Sequence, residues 1–264
     1  MPIQHTPEGF ATFCRLHHLD IAQSVQLRDD SGNVVGQAML GIRDRRGWCG
    51  GFGIVPEFRG KRLATALIDG LLDRARLNGL KVLQLEVLCD NEPALRTYRR
   101  AGFVVRREVI SFAGPIAENL HRTTESAEVR PVPILEAIAR FALNETLWET
   151  SPVWQRQIAL LYLRTDLRAF GATANDGTAQ ILYGFQTATG FLRIDRLDFD
   201  SEAAARAVLR RAINEAAAAL RDAGENRPIK WIVLNEPTDT PLYALLDRLM
   251  VPITYRQYEM SLDL

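Results

Sequence analysis

The stretch Ile54-Val55-Pro56-Glu57-Phe58-Arg59-Gly60-Lys61-Arg62-Leu63-Ala64-Thr65 runs from the end of an apolar strand, through a short basic turn, into the first turn of an apolar helix. The first N–H groups of a helix have no partner within it, and the macrodipole places positive charge at that end. An anion such as a pyrophosphate fits there. Arg59, Lys61 and Arg62 add three side-chain cations to the same turn, and Gly60 lets the backbone come close to a ligand. Taken alone, such a turn is also what a solvated charge cluster between two elements looks like.

The flanking sequence extends the pattern. Leu63, Leu67, Leu71 and Ala75, with Ile68 and Leu72 beside them, form the stripe of a helix ending near Asn78-Gly79. Residues 81–88 alternate Leu83, Leu85 and Val87 against Val82, Gln84, Glu86 and Leu88, as a central strand does. A short helix follows from Asn91 to Arg100, with Pro93 in its first turn and Gly102 as its stop. Residues 103–112 are expected to be one or two antiparallel strands at the sheet edge. Upstream, strands are expected at 21–27 and 34–42, joined by the hairpin chemistry of Asp29-Asp30-Ser31-Gly32-Asn33. No convincing pair of amphipathic helices precedes Arg59. A third strand at 48–55 holds Gly50, Gly51 and Gly53, which suggests a bulge or a close ligand approach.

The downstream run Asn91-Glu92-Pro93-Ala94-Leu95-Arg96-Thr97-Tyr98-Arg99-Arg100-Ala101-Gly102-Phe103, read with the basic turn, resembles the acetyl-CoA-binding motifs of the GNAT superfamily of N-acetyltransferases. The two motifs stand in the family's order and at its distance, over about residues 48–112. One position departs from the pattern. Arg62 stands where the family usually has a second glycine, and either points away from the ligand or supplies a further phosphate contact. Ala64 keeps the third small position. The resemblance implies acetyl-CoA as cosubstrate, without a metal, and a splayed strand pair whose amides meet the pantetheine arm. It assigns cofactor contacts to Ile54, Val55, Arg59, Gly60, Lys61, Arg62, Leu63, Ala64, Thr65 and Asn91. Asn91 is equally readable as a tie on the splayed strand or as a helix cap.

Acyl transfer to an amine requires the thioester held, the oxyanion stabilised, the ammonium deprotonated and the leaving thiolate protonated. Glu86, a carboxylate in an otherwise apolar strand, is the candidate base, or else an outward glutamate paired with an arginine. Tyr98 is the candidate general acid, or else a core aromatic beside Ala94, Leu95 and Ala101. Their spacing is similar to that of the strand glutamate and helix tyrosine of ribosomal-protein alanine acetyltransferases. His17 and His18 are read as surface or packing residues.

Beyond residue 115 the character shifts. Residues 116–127 read as a linker. Helices are expected at 134–143 and 152–163, and strands at 167–174, 179–186 and 191–199. A long alanine-rich helix over 201–223, a strand at 229–234, a helix at 240–249 and a closing strand pair or single long strand at 253–264 complete the chain. This repeats the order of the first half at an offset of about 144 residues, so that Asn235-Glu236-Pro237 falls on Asn91-Glu92-Pro93. At that offset Ala203 and Ala204 replace Arg59 and Gly60, and Leu242 replaces Tyr98. The expected fold is therefore α/β (α+β), two tandem GNAT-like mixed-sheet domains over 1–115 and 128–264, the second degenerate and without CoA.

Bulk composition narrows the alternatives. The 32 basic and 32 acidic residues cancel, which argues against a general nucleic-acid binder. No apolar run reaches the ~20 residues that cross a bilayer, and the N-terminus lacks a secretory signal's pattern. The three cysteines, Cys14, Cys49 and Cys89, show no metal or redox spacing. The expectation is a cytoplasmic N-acetyltransferase acting on a small-molecule or protein amine, without nucleic-acid or membrane partners and with a homodimer left open. The alternatives are a non-catalytic acyl-CoA-binding or interaction module and an acyltransferase for longer acyl-CoAs.

Overall fold

The computed structural model describes residues 6–117, 120, 127–147 and 152–264, with side chains described over the same residues except 144–147. The chain folds into two compact units. Unit 1 is Met1–Glu108 together with Gln257–Leu264, and unit 2 is Val109–Arg256.

Unit 1 contains α1 (Pro7–His17), β1 (Leu19–Arg28), β2 (Val34–Arg43), β3 (Arg46–Ile54), α2 (Leu63–Leu77), β4 (Val82–Leu88) and α3 (Glu92–Arg100). The first half of β5 (Val104–Pro115) and most of β11 (Ile253–Asp263) complete it. Its sheet has the order β1-β2-β3-β4-β11-β5. The apolar stripe read from sequence is the buried face of α2: Leu67, Ile68, Leu71, Leu72 and Ala75 pack on Ala38, Leu40, Leu83, Leu85 and Val87. Each buried leucine, isoleucine or valine among them contributes about 1.5–3 kcal/mol. Leu95, Tyr98, Phe103 and Met260 close the same core.

Unit 2 contains the second half of β5, β6 (Glu128–Pro131), α4 (Ile134–Leu147), α5 (Ile158–Leu161), β7 (Leu167–Ala174), β8 (Gly177–Gln186) and β9 (Phe191–Phe199). It continues with α6 (Glu202–Asp222), β10 (Lys230–Pro237) and α7 (Pro241–Arg248). Its strand order is β5-β10-β9-β8-β7-β6. The buried alanines, Val208, Leu209 and Ile213 of α6 pack on Ile181, Tyr183, Leu192 and Ile194. Both halves of the chain run antiparallel strands, long helix, strand, short helix, strand, which makes this a tandem pair of GNAT-like mixed sheets.

Five differences from the sequence expectations have physical causes. First, α1 is an added helix. Thr6 caps it by accepting the Gly9 N–H at 3.1 Å, with Pro7 at its start. It buries no residue fully. Second, the helix expected at 152–163 is a 3-10 turn, Trp154–Arg156, followed by the single turn of α5, because Gln157 is extended at φ −69°, ψ 149°.

Third, β5 is not an edge strand. Its first half lies beside β11, and its second half pairs with β10 from Val109↔Pro237 to Pro115↔Lys230. Fourth, the closing strand joins the first unit from Gln257 onward, pairing with β4 from Gln257↔Leu88 to Asp263↔Val82. Both faces of unit 1 therefore use residues far apart in sequence, and the linker expected over 116–127 falls largely outside the described residues. Fifth, the Asn-Glu-Pro tripeptides do not correspond. Asn91 caps α3, whereas Asn235 lies within β10 at φ +49°. The hydrogen bonds closing the short helices, Phe103 N–H to Tyr98 O and Val251 N–H to Leu246 O, both 3.0 Å, match Tyr98 with Leu246 instead of Leu242.

Met260 is fully buried in the unit 1 core. Met260→Ala is expected to cost about 2–5 kcal/mol, read as a lowered urea midpoint.

Candidate active site

The site begins with a strand pair that comes apart. The parallel strands β3 and β4 pair only at Arg46↔Val82, Gly47↔Leu83 and Trp48↔Gln84. Beyond that point β3 stays with β2, while β4 stays with β11. A bulge drives the separation. Cys49 opposes Leu40 and Gly51 opposes Met39, so Gly50 is the extra residue, and such a residue bends its strand. The glycine-rich strand read from sequence thus holds the expected bulge, and the splayed pair is present.

Backbone direction follows from register. The Val55 N–H donates to Val35 O at 3.0 Å, so Val55 spends its amide inside the sheet. Antiparallel pairing alternates bonded and non-bonded residues, and the Gly36↔Ile54 and Ala38↔Phe52 partners therefore turn the Ile54 and Phe52 amides away from β2. Phe52 was not singled out from sequence, and only the register reveals it.

The basic turn forms a cradle of donors. Pro56–Phe58 makes a 3-10 turn, Gly60 has φ +76°, and Arg62 stands at the N-cap of α2 with φ +61°. A left-handed arginine costs roughly 1–2 kcal/mol, the penalty that the family's glycine avoids. Among the described residues, the amides of residues 60–64 have no hydrogen-bond partner, and no side chain caps the helix. The first turn of α2 holds no acidic residue. Successive amides around left-handed residues form an anion-binding concavity. Thr65 differs, since its amide donates to Arg62 O at 3.1 Å. Arg59 folds back to donate from Nε to Ile54 O at 3.0 Å, Lys61 lies 4.6 Å over the Phe58 ring, and Arg62 is exposed. These residues fit a pyrophosphate. Asn91 caps α3, its Oδ1 accepting the Ala94 N–H at 3.3 Å.

Glu86 and Tyr98 lie on opposite faces of the sheet beside the fork. Tyr98 belongs to the α2–α3 core with Leu85 and Val87, its ring edge-on to Phe52 at 5.6 Å. Burial, with the neighbouring Cys49 thiol adding, pushes its phenol well above the ordinary tyrosine range. Glu86 alternates to the other face, where its Oε2 accepts the Trp48 Nε1–H at 2.8 Å. Burial pushes the Cys49 thiol up to about 12, opposed by a backbone hydrogen bond from Gly51 and reinforced by the Glu86 charge. Cys49 is thus within electrostatic reach of both Glu86 and Tyr98.

The corresponding place in unit 2 is filled. Strands β9 and β10 also pair over three residues, Phe191↔Lys230 to Arg193↔Ile232. Buried Arg156 then spans the opening, donating from Nε and Nη2 to the Asp195 carbonyl at 3.2 and 2.9 Å and pairing with Glu236. No basic turn precedes α6. Ser201 caps it by accepting the Ala204 N–H at 3.1 Å, and Glu202 occupies its first turn. Ala203 and Ala204 are buried inside the helix and replace nothing in a phosphate loop. Of the aromatic residues of this half, Trp154 and Phe170 are core, Tyr162 is exposed, and Trp148 lies outside the described residues.

Residues 2–103 match the sequence model of the acetyltransferase (GNAT) family. That match lies within the N-terminal unit and covers less than half of the chain. Solved structures share the fold across both units. A GCN5-related N-acetyltransferase from Sphaerobacter thermophilus has TM-score 0.64 at 15% identity, covering 97% of this chain and 85% of that one. A tandem GNAT protein from the clavulanic acid biosynthesis pathway has TM-score 0.54 at 15% identity, covering 89% and 81%. A GCN5-related N-acetyltransferase from Anabaena variabilis has TM-score 0.54 at 16% identity, covering 97% and 66%. Among the described residues no helix is long and apolar enough to cross a membrane, and no group of three or more His, Cys, Asp or Glu could hold a metal ion.

Removing one partner of a buried ion pair strands the other's charge. Arg156→Leu should cost about 3–5 kcal/mol, measured by denaturant unfolding. The Arg156→Leu/Glu236→Leu pair should recover most of that loss.

Proposed function

We propose that the chain is an acetyl-CoA-dependent N-acetyltransferase that acylates a small-molecule or protein amine by direct transfer within a ternary complex. The observation that carries this reading is the fork of β3 and β4, with Glu86 and Tyr98 at its two faces and the uncapped, cationic start of α2 at its end. When bound, acetyl-CoA supplies an acyl carbonyl and a thiol leaving group. The amides of residues 60–64 and the cations of Arg59, Lys61 and Arg62 would hold its pyrophosphate. The Ile54 and Phe52 amides would orient its arm.

The remaining work is proton handling. The Glu86 carboxylate takes a proton from the acceptor ammonium, leaving an amine lone pair free to bond to carbon. Tyr98 keeps its Oη–H because burial disfavours the phenolate, so a proton is held in reserve for a thiolate. The buried Cys49 stays a thiol at neutral pH, and a thiol is a poor nucleophile. That supports direct transfer over an acyl-cysteine route.

The test is thiol release from acetyl-CoA against a panel of amines, with longer acyl-CoAs compared in parallel. Glu86→Gln and Tyr98→Phe should each lower kcat by about 10²–10⁴-fold while leaving CoA affinity by calorimetry nearly unchanged. Full turnover in both variants would overturn the assignment. Binding without turnover across the panel would make the chain an acyl-CoA-binding module.

The Arg59→Ala/Lys61→Ala variant should weaken CoA binding, most visibly at low ionic strength, where surface charges are least screened. Calorimetric titration at two salt concentrations checks it.

A further inference from the structure

We propose that Trp48 is a positioning residue that fixes the Glu86 carboxylate across the mouth of the fork, in a place that Gly50 keeps open for the indole. The inference rests on the role given above to Glu86. Trp48 is the last β3 residue in register with β4, opposite Gln84, and β3 departs immediately after it. Its side chain nevertheless reaches back to β4, donating from Nε1 to Glu86 Oε2 at 2.8 Å. The indole is only 4% exposed. A carboxylate with a fixed donor keeps one rotamer, and a base must be held within hydrogen-bond reach of the proton it takes.

The space for the ring is made by Gly50. A Cβ there would lie 2.3 Å from the indole Cζ3, 2.8 Å from Cε3 and 2.7 Å from Leu19 Cδ2. Any side chain at this position would drive the indole off its seat. The bulge residue therefore does two things: it bends β3 away from β4, and it lets Trp48 fold back over the opening so made. From α1, the His17 ring lies tilted against the indole at 5.3 Å between centroids, and Phe13 lies tilted against His17 at 4.6 Å.

On the same face as Glu86, Gln84 is neutral and accepts from Arg46 Nη2 at 2.8 Å. Glu259 of β11 lies directly across the strand pair, and Arg107 of β5 compensates it at 2.6 Å. Cys49 of β3 is in electrostatic reach of Glu86, and His17 of α1 lies against the indole that bonds it.

The test has a readout that needs no substrate. The four tryptophans give four indole N–H signals in a nitrogen–proton correlation spectrum. One should move with pH as Glu86 is protonated, should vanish in Trp48→Phe, and should stop moving in Glu86→Gln. In kinetics, Trp48→Phe should lower kcat about ten-fold with KM for acetyl-CoA unchanged. The acidic limb of its kcat/KM profile should move to higher pH, because the carboxylate anion has lost a donor. Gly50→Ala should reproduce both effects, and the Trp48→Phe/Glu86→Gln pair should be no slower than Glu86→Gln alone. A purely structural role would lower thermal stability and rate together without moving the pH limb, and would overturn the proposal. So would four indole signals all indifferent to Glu86→Gln, a result that stands even if Trp48→Phe does not fold. A titrating Trp48 signal in protein that transfers no acetyl group would sink the acyl-transfer reading and leave the Trp48–Glu86 coupling standing.

Discussion

A parallel strand pair that separates leaves backbone donors and acceptors on its inner edges without the ladder that would otherwise satisfy them, and buried backbone groups are costly to leave unpaired. Each unit of this chain contains one such separation, after Trp48/Gln84 and after Arg193/Ile232. The two are resolved in opposite ways. In unit 2 a guanidinium bridges the gap, bonding a β9 carbonyl and a β10 carboxylate. In unit 1 the side chains across the mouth are Trp48 and Glu86, and the inner amides of Ile54 and Phe52 turn toward the opening. One opening is filled by the protein's own charge; the other offers hydrogen bonds to a ligand.

The same contrast holds at the helix starts that follow. The α6 terminus satisfies itself with Ser201 and Glu202. The α2 terminus has neither a cap nor an acid, and it accepts a strained arginine in the left-handed region. Strain of that kind persists where the surroundings over-determine it. Here the surroundings are a turn pinned by Arg59 to the end of β3.

Much of unit 1 was legible because its signals are local. The stripe of α2, the alternation of β4 and the basic turn each follow from residues within one element. Glu86 and Tyr98 were singled out through motif spacing, and the register of β4 and the packing of α3 put them on either side of the fork. Trp48 was not singled out, because its role depends on a bulge and a cross-strand reach, although a tryptophan followed by Gly50-Gly51 carried the trace of it. Val55 was assigned an amide for the ligand that the register commits to Val35. The Asn-Glu-Pro coincidence pulled the repeat out of alignment, and only hydrogen bonds at the helix ends corrected it. The assignment of 257–264 could not be read locally at all, since a strand's partner is a property of the fold and its own alternation is silent on it.

That last strand has a consequence for biosynthesis. Residues 257–264 sit between β4 and β5 in the middle of the first sheet, yet the ribosome makes them after the whole of unit 2. The unit translated first can only be finished last, so a nascent chain carries an open slot between two strands for as long as unit 2 takes to emerge. Such a slot is a template for pairing with another chain, and a gene cut between its halves would give a first half that can never close it.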